Sequence, residues 1–246
     1  MCRLCNAREA VTPQQTSRRR FLGLAGITAA SMALSPPAFA KEKKRPPKPQ
    51  NAISPDDALE RLMDGNERYV KGVSRRHDFK HEREALTGGQ NPYASILSCA
   101  DSRIAPEYAF DSARGDLFVC RVAGNFANDD TVASLEYSVA ILNTPLFLVL
   151  GHESCGAVDA TIKSLKDNTT LPGHLPSLVA ALAPAVKAVA DQPGDKLANA
   201  TRRNVIDNVA KLKAATPILS AAVDQRKLKI VGGIYRLGDG KVELFA

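Results

Sequence analysis

The chain has 246 residues, of which 44% are hydrophobic and 24% are charged, and its formal net charge is +7. This composition is typical of a globular protein with one large domain or two small ones, and it excludes disordered, collagen-like and multi-span membrane classes. Five cysteines are too few, and odd in number, for a disulfide-stapled miniprotein. The net positive charge would by itself favour a nucleic-acid or membrane partner.

The positive charge is concentrated in the first 50 residues. Residues 1–40 carry five basic side chains and one acidic side chain, and residues 41–50 again carry five and one. The totals of 33 basic and 26 acidic residues therefore leave 23 and 24 in residues 51–246, a net charge of −1. Because the rest of the chain is electrically balanced, we expect no nucleic-acid partner.

The N-terminal segment has the pattern of a cleavable export signal. Residues 17–22 read Ser-Arg-Arg-Arg-Phe-Leu, an apolar run follows over 21–34, and an Ala-x-Ala site predicts cleavage after Ala40. As a helix the run would span about 21 Å, less than the roughly 30 Å hydrocarbon core, so we expect no permanent membrane anchor. The segment resembles a twin-arginine signal, with an ordinary Sec signal as the alternative. We therefore expect the export machinery as a partner and a periplasmic location.

The sequence predicts three segments. These are a signal peptide over 1–40, a Lys/Pro-rich linker over 41–53 and a single α/β domain over 54–246. Cys2 and Cys5 form a C-x-x-C pair in the leader, but two ligands are half of what a structural zinc site uses, so we assign them no role.

The first predicted elements are a helix and three buried strands. Ser54, followed by Pro and two Asp residues, is a typical helix start, and an apolar stripe extends the helix over 55–71. Apolar runs follow at 93–99, 117–122 and 145–151. They are near-continuous rather than alternating, as is typical of strands covered on both faces of a parallel sheet. Cys120, in the second run, is expected to be a small buried hydrophobe, and residues 75–83 a solvated basic segment.

The remaining elements complete an α/β pattern. Helices are predicted over 129–142, 156–166, 174–191 and 197–215, and two closing strands over 229–235 and 241–245. A strand–helix–strand unit of this length forms a right-handed crossover. The predicted fold class is α/β, with a mostly parallel central sheet flanked by helices.

Two polar clusters follow directly after predicted buried strands. The first is Cys99-Ala-Asp101-Ser-Arg103 and the second is His152-Glu-Ser-Cys155. Because functional groups gather at the carboxyl ends of parallel strands, the two clusters can converge. Two thiols and an imidazole are the ligand count of a catalytic zinc that keeps a fourth position open. A disulfide between the two cysteines is the alternative, but it would leave the histidine and the Asp–Arg pair without a role.

Asp101 and Arg103 can form a charge-assisted pair beside such a metal. Two thiolates cancel the charge of zinc, so the site needs help from its surroundings to bring the pKa of a bound water towards neutrality. A carboxylate held ionised by Arg103 could orient that water, or it could bind the metal as a fourth ligand and close the site. The residues alone leave both states open.

From about residue 55 to its end the chain resembles the β-class carbonic anhydrases. The matching segments are GQNP at 89–92, SCADSR at 98–103, GDLFVCRVAGN at 115–125, SLEYSV at 134–139, GHESCGAV at 151–158, and GGIYRL and GKVEL near the end. The resemblance implies reversible hydration of carbon dioxide to bicarbonate and a proton by a zinc-bound hydroxide. It also implies a homodimer, or a higher even oligomer, with each active site at the subunit interface.

The resemblance implies a role for each matching site residue. It implies one zinc ion per chain, held by Cys99, His152 and Cys155, with Asp101 and Arg103 as the catalytic pair. It further implies that the substrate or bicarbonate is bound by Gln90, Phe118, Ala123, Tyr137 and the backbone N–H of Gly156.

Two other functions remain open on the same scaffold. The chain could be a non-catalytic relative that binds zinc or bicarbonate, or it could hydrolyse carbon disulfide or carbonyl sulfide. The intact Asp101–Arg103 pair favours an enzyme, because a purely structural zinc site has no need of an open position.

Overall fold

A computed structural model describes residues 52–245 of the chain. The predicted signal peptide at 1–40, the cysteine pair within it and most of the predicted linker lie outside the described residues. No helix in the described part of the chain combines the length and hydrophobicity needed to cross a membrane.

The described residues form helices around one sheet. The helices are α1 (Pro55–Val70), α2 (Phe79–Ala85), α3 (Pro106–Ala109), α4 (Asp129–Ala140), α5 (Gly156–Lys166), α6 (Leu175–Ala188), α7 (Lys196–Lys213) and α8 (Ile218–Asp224), with a 3₁₀ turn at Leu86–Gly88. The strands are β1 (Ala94–Ser98), β2 (Leu117–Arg121), β3 (Leu146–His152), β4 (Lys229–Tyr235) and β5 (Val242–Leu244).

The sheet has the strand order β2-β1-β3-β4-β5. Strands β1 to β4 run parallel, and β5 is antiparallel to β4. The predicted α/β class with a mostly parallel sheet is therefore confirmed. Ser98 pairs with Arg121 of β2 and Leu150 of β3, so the three strands end at the same edge of the sheet. This register brings Cys99 and His152, at the ends of β1 and β3, to that edge.

The structure differs from the sequence expectation at several places. Helices α3 and α8 were not predicted. Strand β2 is half-buried rather than covered on both faces, because it lies at the edge of the sheet beside β1, and Cys120 is half-buried with it. Part of the expected solvated segment forms helix α2, which begins where the Asp78 side chain accepts a hydrogen bond from the His81 amide at 3.2 Å. None of the residues in α2 is buried, so the segment is exposed to solvent as expected, although it forms a helix.

Helix α1 is tied to the body of the protein by Asn66. The Asn66 amide donates to the carbonyls of Ala109 and Gly240 and accepts from the Val242 N–H, each at 2.9 Å. One residue earlier, the helix passes so close to Phe110 that a Cβ on Gly65 would lie 1.9 Å from its carbonyl oxygen. A glycine is therefore required for this packing.

Apolar side chains cover both faces of the sheet. One cluster lies between the sheet, α1 and α3, and its largest members include Leu62, Tyr93, Ile96, Phe110, Leu148 and Leu150. A second cluster joins the sheet to α4, α7 and α8, and includes Leu97, Leu135, Phe147, Val149, Val205 and Leu219. Each fully buried side chain of this size contributes about 1.5–3 kcal/mol.

A third, smaller cluster lies beyond the ends of the strands and contains both Cys99 and Cys155. Val158 of α5, Leu182 of α6 and Ala200 of α7 are buried with them. The two thiols therefore sit in an apolar environment at the edge of the sheet where β1 and β3 end.

Candidate metal centre

The side chains of Cys99, His152 and Cys155 meet at the carboxyl edge of the sheet. Their two sulfur atoms and one ring nitrogen all lie within 4.8 Å of one another. Cys99 is 4% exposed and the other two are fully buried. All three cysteines of the described residues are free, so Cys99 and Cys155 are not joined by a disulfide.

The backbone of two loops brings these side chains together. Cys99 directly follows β1, His152 is the last residue of β3, and Cys155 is the N-cap of α5. A tight turn makes the step from β3 to α5, with Ser154 at φ +52°. The residue before His152 is Gly151, where a Cβ would lie 2.7 Å from a methyl group of Val205. The close packing of β3 on α7 therefore needs a glycine beside the histidine.

The hydrogen bond of His152 leaves one ring nitrogen available for a metal. Nδ1 lies 2.8 Å from the Glu153 carbonyl oxygen, so it carries the proton and donates. Nε2 is buried and has no hydrogen-bond partner in the structure. A buried polar atom without a partner costs about 1–3 kcal/mol, and metal-ligating histidines are oriented in this way by a bond from the other nitrogen.

The two thiols share their protons unequally. The pKa of Cys99 is lowered to about 4, mainly because the Cys155 thiol donates a hydrogen bond to it, while burial opposes this change. The Gly124 N–H, 3.3 Å from the Cys99 sulfur, also lowers this pKa. The hydrogen bond with Cys99, together with burial, raises the pKa of Cys155. Ionisation is therefore easier at Cys99 than at Cys155, and a bound dication would favour the thiolate form of both.

These residues fit a zinc ion. Thiolate and imidazole ligands suit zinc better than magnesium or calcium, which prefer oxygen ligands. Three protein ligands match a catalytic site with an open fourth position. The unpartnered Nε2 of His152 faces this group and would be satisfied by the metal.

Asp101 and Arg103 form a bidentate ion pair beside the metal-ligand group. The guanidinium Nε donates to Oδ1 at 2.9 Å and Nη2 donates to Oδ2 at 2.7 Å. The Arg103 backbone N–H also donates to Oδ1, at 2.9 Å. These hydrogen bonds lower the pKa of Asp101 far below its usual range, with the Arg103 side chain as the main cause. The carboxylate is therefore ionised at neutral pH.

The ion pair also connects the two loops that carry the candidate ligands. Arg103 Nη2 lies 3.2 Å from the carbonyl oxygen of Ser154, in the turn before Cys155. Asp101 Oδ2 lies 3.9 Å from Nε2 of His152, which points the carboxylate at the candidate metal position. The alternative in which Asp101 becomes the fourth ligand would require this ion pair to open.

The predicted substrate-binding residues are spread over several elements. The rings of Phe118 and Tyr137 lie together, with centroids 6.3 Å apart. Ala123 is half-buried after β2, and Gly156 is the exposed first residue of α5. Gln90 is exposed in the segment before β1 and makes no hydrogen bond to the rest of the described chain. The structure therefore brings two of the five into contact.

Sequence reasoning missed four side chains that support the site, and the first two are Arg121 and Glu153. Arg121, the last residue of β2, donates to three backbone carbonyls of the loop after β1. Glu153 accepts a hydrogen bond from the Leu237 N–H at 3.0 Å, which ties the second ligand loop to the turn between β4 and β5. The one signal for Arg121 was a charged residue within an otherwise apolar strand pattern.

A ladder of amides on α7 supports the loop that contacts Cys99. Asn204 donates to the Gly124 carbonyl at 2.9 Å, and Asn208 accepts from the Ala127 N–H at 2.7 Å. Asn208 also donates to the Asn204 side chain at 3.0 Å. Their spacing of one helical turn was visible in the sequence, but their partners were not.

Comparisons with known proteins point to one family. A family model described as carbonic anhydrase matches residues 94–242. Carbonic anhydrase 2 of Mycobacterium tuberculosis is 38% identical over 192 residues, covering 78% of this chain and 93% of the relative.

Solved structures have the same fold. The β-carbonic anhydrase CcaA is 28% identical with a TM-score of 0.59, over 76% of this chain and 95% of that structure. A tetrameric β-carbonic anhydrase of Sordaria macrospora, 23% identical, superposes with a TM-score of 0.62 over 77% of this chain and 98% of that structure.

Proposed function

Since the chain belongs to the β-class carbonic anhydrases, we propose that Cys99, His152 and Cys155 hold its zinc and that Asp101 and Arg103 serve the reaction. The activity is the reversible hydration of carbon dioxide to bicarbonate and a proton, as in the relative that is 38% identical. The observation that carries the ligand assignment is the buried, unpartnered Nε2 of His152, which lies within 4.8 Å of both cysteine sulfurs.

The chemistry divides between the metal and the side chains around it. When bound, zinc supplies a Lewis acid that brings the pKa of a coordinated water towards neutrality. Asp101 accepts a hydrogen bond from the attacking water and orients its oxygen towards the carbon. The carboxylate has about four lone-pair sites. Three of them are taken by the Arg103 side chain and backbone. The site that remains is on Oδ2, the oxygen 3.9 Å from His152 Nε2.

The low pKa of Asp101 decides which role the carboxylate has. Because Arg103 holds the carboxylate ionised, Asp101 is an acceptor that orients water and does not keep the proton. The proton released by the reaction therefore passes to solvent or buffer. The apolar surroundings of the two cysteines exclude water from the inner side of the site.

We assign the substrate pocket to Gln90, Phe118, Ala123, Tyr137 and Gly156. The adjacent rings of Phe118 and Tyr137 offer an apolar surface suited to carbon dioxide. The N–H of Gly156 belongs to the first turn of α5, and helix N-termini favour anions such as bicarbonate. Gln90 would supply a side-chain amide to the same anion.

Stopped-flow hydration of carbon dioxide by the zinc-loaded protein tests this function. We expect the wild type to exceed the buffer rate, and Cys155→Ser to lose both zinc and activity. Cys120→Ser is the matched control, because Cys120 lies on β2 outside the ligand group and should keep both. A wild type that binds zinc but does not exceed the buffer rate would instead be a non-catalytic relative.

We further propose that the chain forms a homodimer through β2 and the exposed side of α4. Strand β2 is a half-buried edge. On α4, Tyr137 is 47% exposed and Ile141, at its C-cap, is 62% exposed, which leaves an apolar surface beside that edge. Light scattering should give a dimer or a higher even oligomer for the wild type and smaller species for Ile141→Arg. Ile206→Arg on α7 is the control, and a monomeric wild type would contradict the proposal.

We also propose that residues 1–40 direct export to the periplasm by the twin-arginine route. The motif Ser-Arg-Arg-x-Phe-Leu at 17–22 and the Ala-x-Ala site before residue 41 support this assignment. Cell fractionation should find the wild type in the periplasm and the double variant Arg18→Lys, Arg19→Lys in the cytoplasm. Export of the double variant at the wild-type level would favour the Sec route.

A further inference from the structure

We propose that Arg121 is a positioning residue for the reaction, because its guanidinium holds the loop that carries Cys99 and Asp101. The proposal rests on the function assigned above to these two residues. Arg121 itself makes its hydrogen bonds to backbone oxygens and acts through the loop over residues 99–104, which we name the dyad loop.

Three hydrogen bonds join Arg121 to the dyad loop. Nε donates to the Cys99 carbonyl at 2.9 Å, and Nη2 donates to the carbonyls of Asp101 and Ile104, both at 2.8 Å. The three acceptors are spread along the whole loop. One guanidinium therefore fixes the start, middle and end of the segment that carries the metal ligand and the carboxylate.

The strand register places Arg121 where it can reach this loop. It is the last residue of β2 and pairs with Ser98, the last residue of β1. From the edge strand its side chain crosses the end of β1, where the dyad loop begins. The Ala100 N–H donates to the Val122 carbonyl at 3.3 Å, so the backbone after β2 holds the same loop from a second point.

The contacts of Arg121 distinguish a geometric role from a charge-pairing role. Its partners are carbonyl oxygens, whereas Arg103 pairs with a carboxylate. A guanidinium presents its donors in a rigid planar fork, and a lysine ammonium cannot reproduce that spacing. The fork matches three carbonyls that turn towards one point, so the requirement at position 121 is for arginine rather than for positive charge.

The position of the dyad loop also sets its distance from the second ligand loop, which carries His152 and Cys155. Arg103, at the end of the bidentate pair with Asp101, also contacts the Ser154 carbonyl in the second ligand loop. Arg121 therefore orients Asp101 by holding its backbone carbonyl. Through Arg103, it also influences the distance between the two ligand loops. Groups that orient metal ligands typically change affinity or activity about 10- to 100-fold when they are removed.

The test compares Arg121→Ala and Arg121→Lys with the wild type and with Arg203→Ala. Arg203 is the matched control, because it is an arginine on α7 that pairs with Asp207 at 2.8 Å, away from the dyad loop. Zinc content, kcat and KM for carbon dioxide, and amide hydrogen exchange of the peptide over 100–105 are measured on each protein. The exchange measurement does not depend on activity, so the proposal is tested even if the enzyme assignment fails.

We expect both Arg121 variants to lose about 10- to 100-fold in kcat, with KM within about threefold of the wild type. We also expect faster exchange over 100–105 and unchanged exchange elsewhere in the chain. Arg121→Lys keeps the charge and most of the side-chain stem, and it carries the test if Arg121→Ala does not fold. Added guanidinium should restore part of the kcat of Arg121→Ala.

Two results would overturn the proposal. One is wild-type exchange over 100–105 in both Arg121 variants, because the loop would then be held without the guanidinium. The other is an Arg121→Lys enzyme with kcat within twofold of the wild type, which would show that the fork is not needed. A wild type without hydration activity would refute the proposed function and leave the exchange result to decide the role of Arg121.

Discussion

Asp101→Asn separates the catalytic part of the ion pair from its contribution to stability. The substitution keeps the shape of the side chain and removes the negative charge that accepts hydrogen bonds from Arg103 and from the attacking water. One carboxylate oxygen is replaced by an NH₂ group, which is a donor and would face the Arg103 guanidinium in either orientation, because both oxygens accept from Arg103. In either orientation, Asn cannot reproduce the acceptor pattern of Asp101.

The structure predicts a large effect of Asp101→Asn on the reaction rate and a small effect on the stability of the fold. The Arg103 side chain is 50% exposed, so solvent screens the pair and its loss should change the free energy of unfolding little. Asp101 positions the attacking water and does not keep its proton, so its loss should cost about 10²-fold in rate, as expected when a reacting group is misplaced. That fall corresponds to about 3 kcal/mol in activation free energy. A large kinetic effect with a small stability effect is therefore expected.

The assay combines stopped-flow kinetics, zinc content and thermal unfolding. Asp101→Asn should retain one zinc per chain and a melting temperature within a few degrees of the wild type, with the large fall in kcat. Asp159→Asn is the matched control, since Asp159 forms an exposed ion pair with Lys163 at 2.6 Å on α5. An Asp101→Asn enzyme with kcat within threefold of the wild type would refute the role given to the carboxylate.

Two further predictions concern the packing around α1. Gly65→Ala should lower the free energy of unfolding, measured by urea titration, by about 1–3 kcal/mol, because its Cβ would lie 1.9 Å from the Phe110 carbonyl oxygen. Gly238→Ala is the control, because a Cβ there would meet open space and should leave the stability unchanged. Burial raises the pKa of Asp111, but hydrogen bonds from the Arg68 side chain and a backbone N–H outweigh it and lower the pKa overall. As the pH falls, the Asp111 carboxylate therefore takes up its proton in the unfolded state before it does so in the folded state. The wild type should be more stable than Asp111→Asn by a constant amount above about pH 4, and this difference should disappear as the pH falls through the pKa of Asp111 in the folded protein. An advantage that does not change between pH 7 and pH 3 would contradict this reasoning.

The sequence was informative wherever burial leaves a pattern. The continuous apolar runs predicted β1 and β3 to within about two residues, because strands covered on both faces need apolar side chains at every position. The clusters after these two strands could be joined into one site, since carboxyl ends of parallel strands share an edge. The three candidate metal ligands were therefore visible before the structure.

The features that depend on the order of the strands in the sheet could not be predicted from the sequence. Apart from Arg121, strand β2 is a near-continuous apolar run like β1, and only the order β2-β1-β3 places it at the edge, half-exposed. The same order, with its register, allows Arg121 to reach across the end of β1. A linear pattern contains neither the neighbours of a strand nor its register, so the support of the dyad loop could not be derived from it.

The hydrogen bonds of the site's side chains could not be predicted from the sequence either. The bond from His152 Nδ1 to the Glu153 carbonyl, which leaves Nε2 available, depends on the turn at Ser154 with its positive φ. The pairing of Asp101 with Arg103 was expected from their spacing, but the third contact of Arg103, to the Ser154 carbonyl, was not. Such contacts follow from the convergence of two loops in space.

Stepwise zinc titration of the metal-free protein, with the carbon dioxide hydration rate measured at each step, tests the central assignment most directly. The rate should rise in proportion to added zinc, reach its plateau at one ion per chain, and stay at the buffer level throughout for Cys99→Ser. A rate that does not depend on zinc, or a Cys99→Ser protein that responds as the wild type does, would contradict the assignment of Cys99, His152 and Cys155 as the catalytic metal centre.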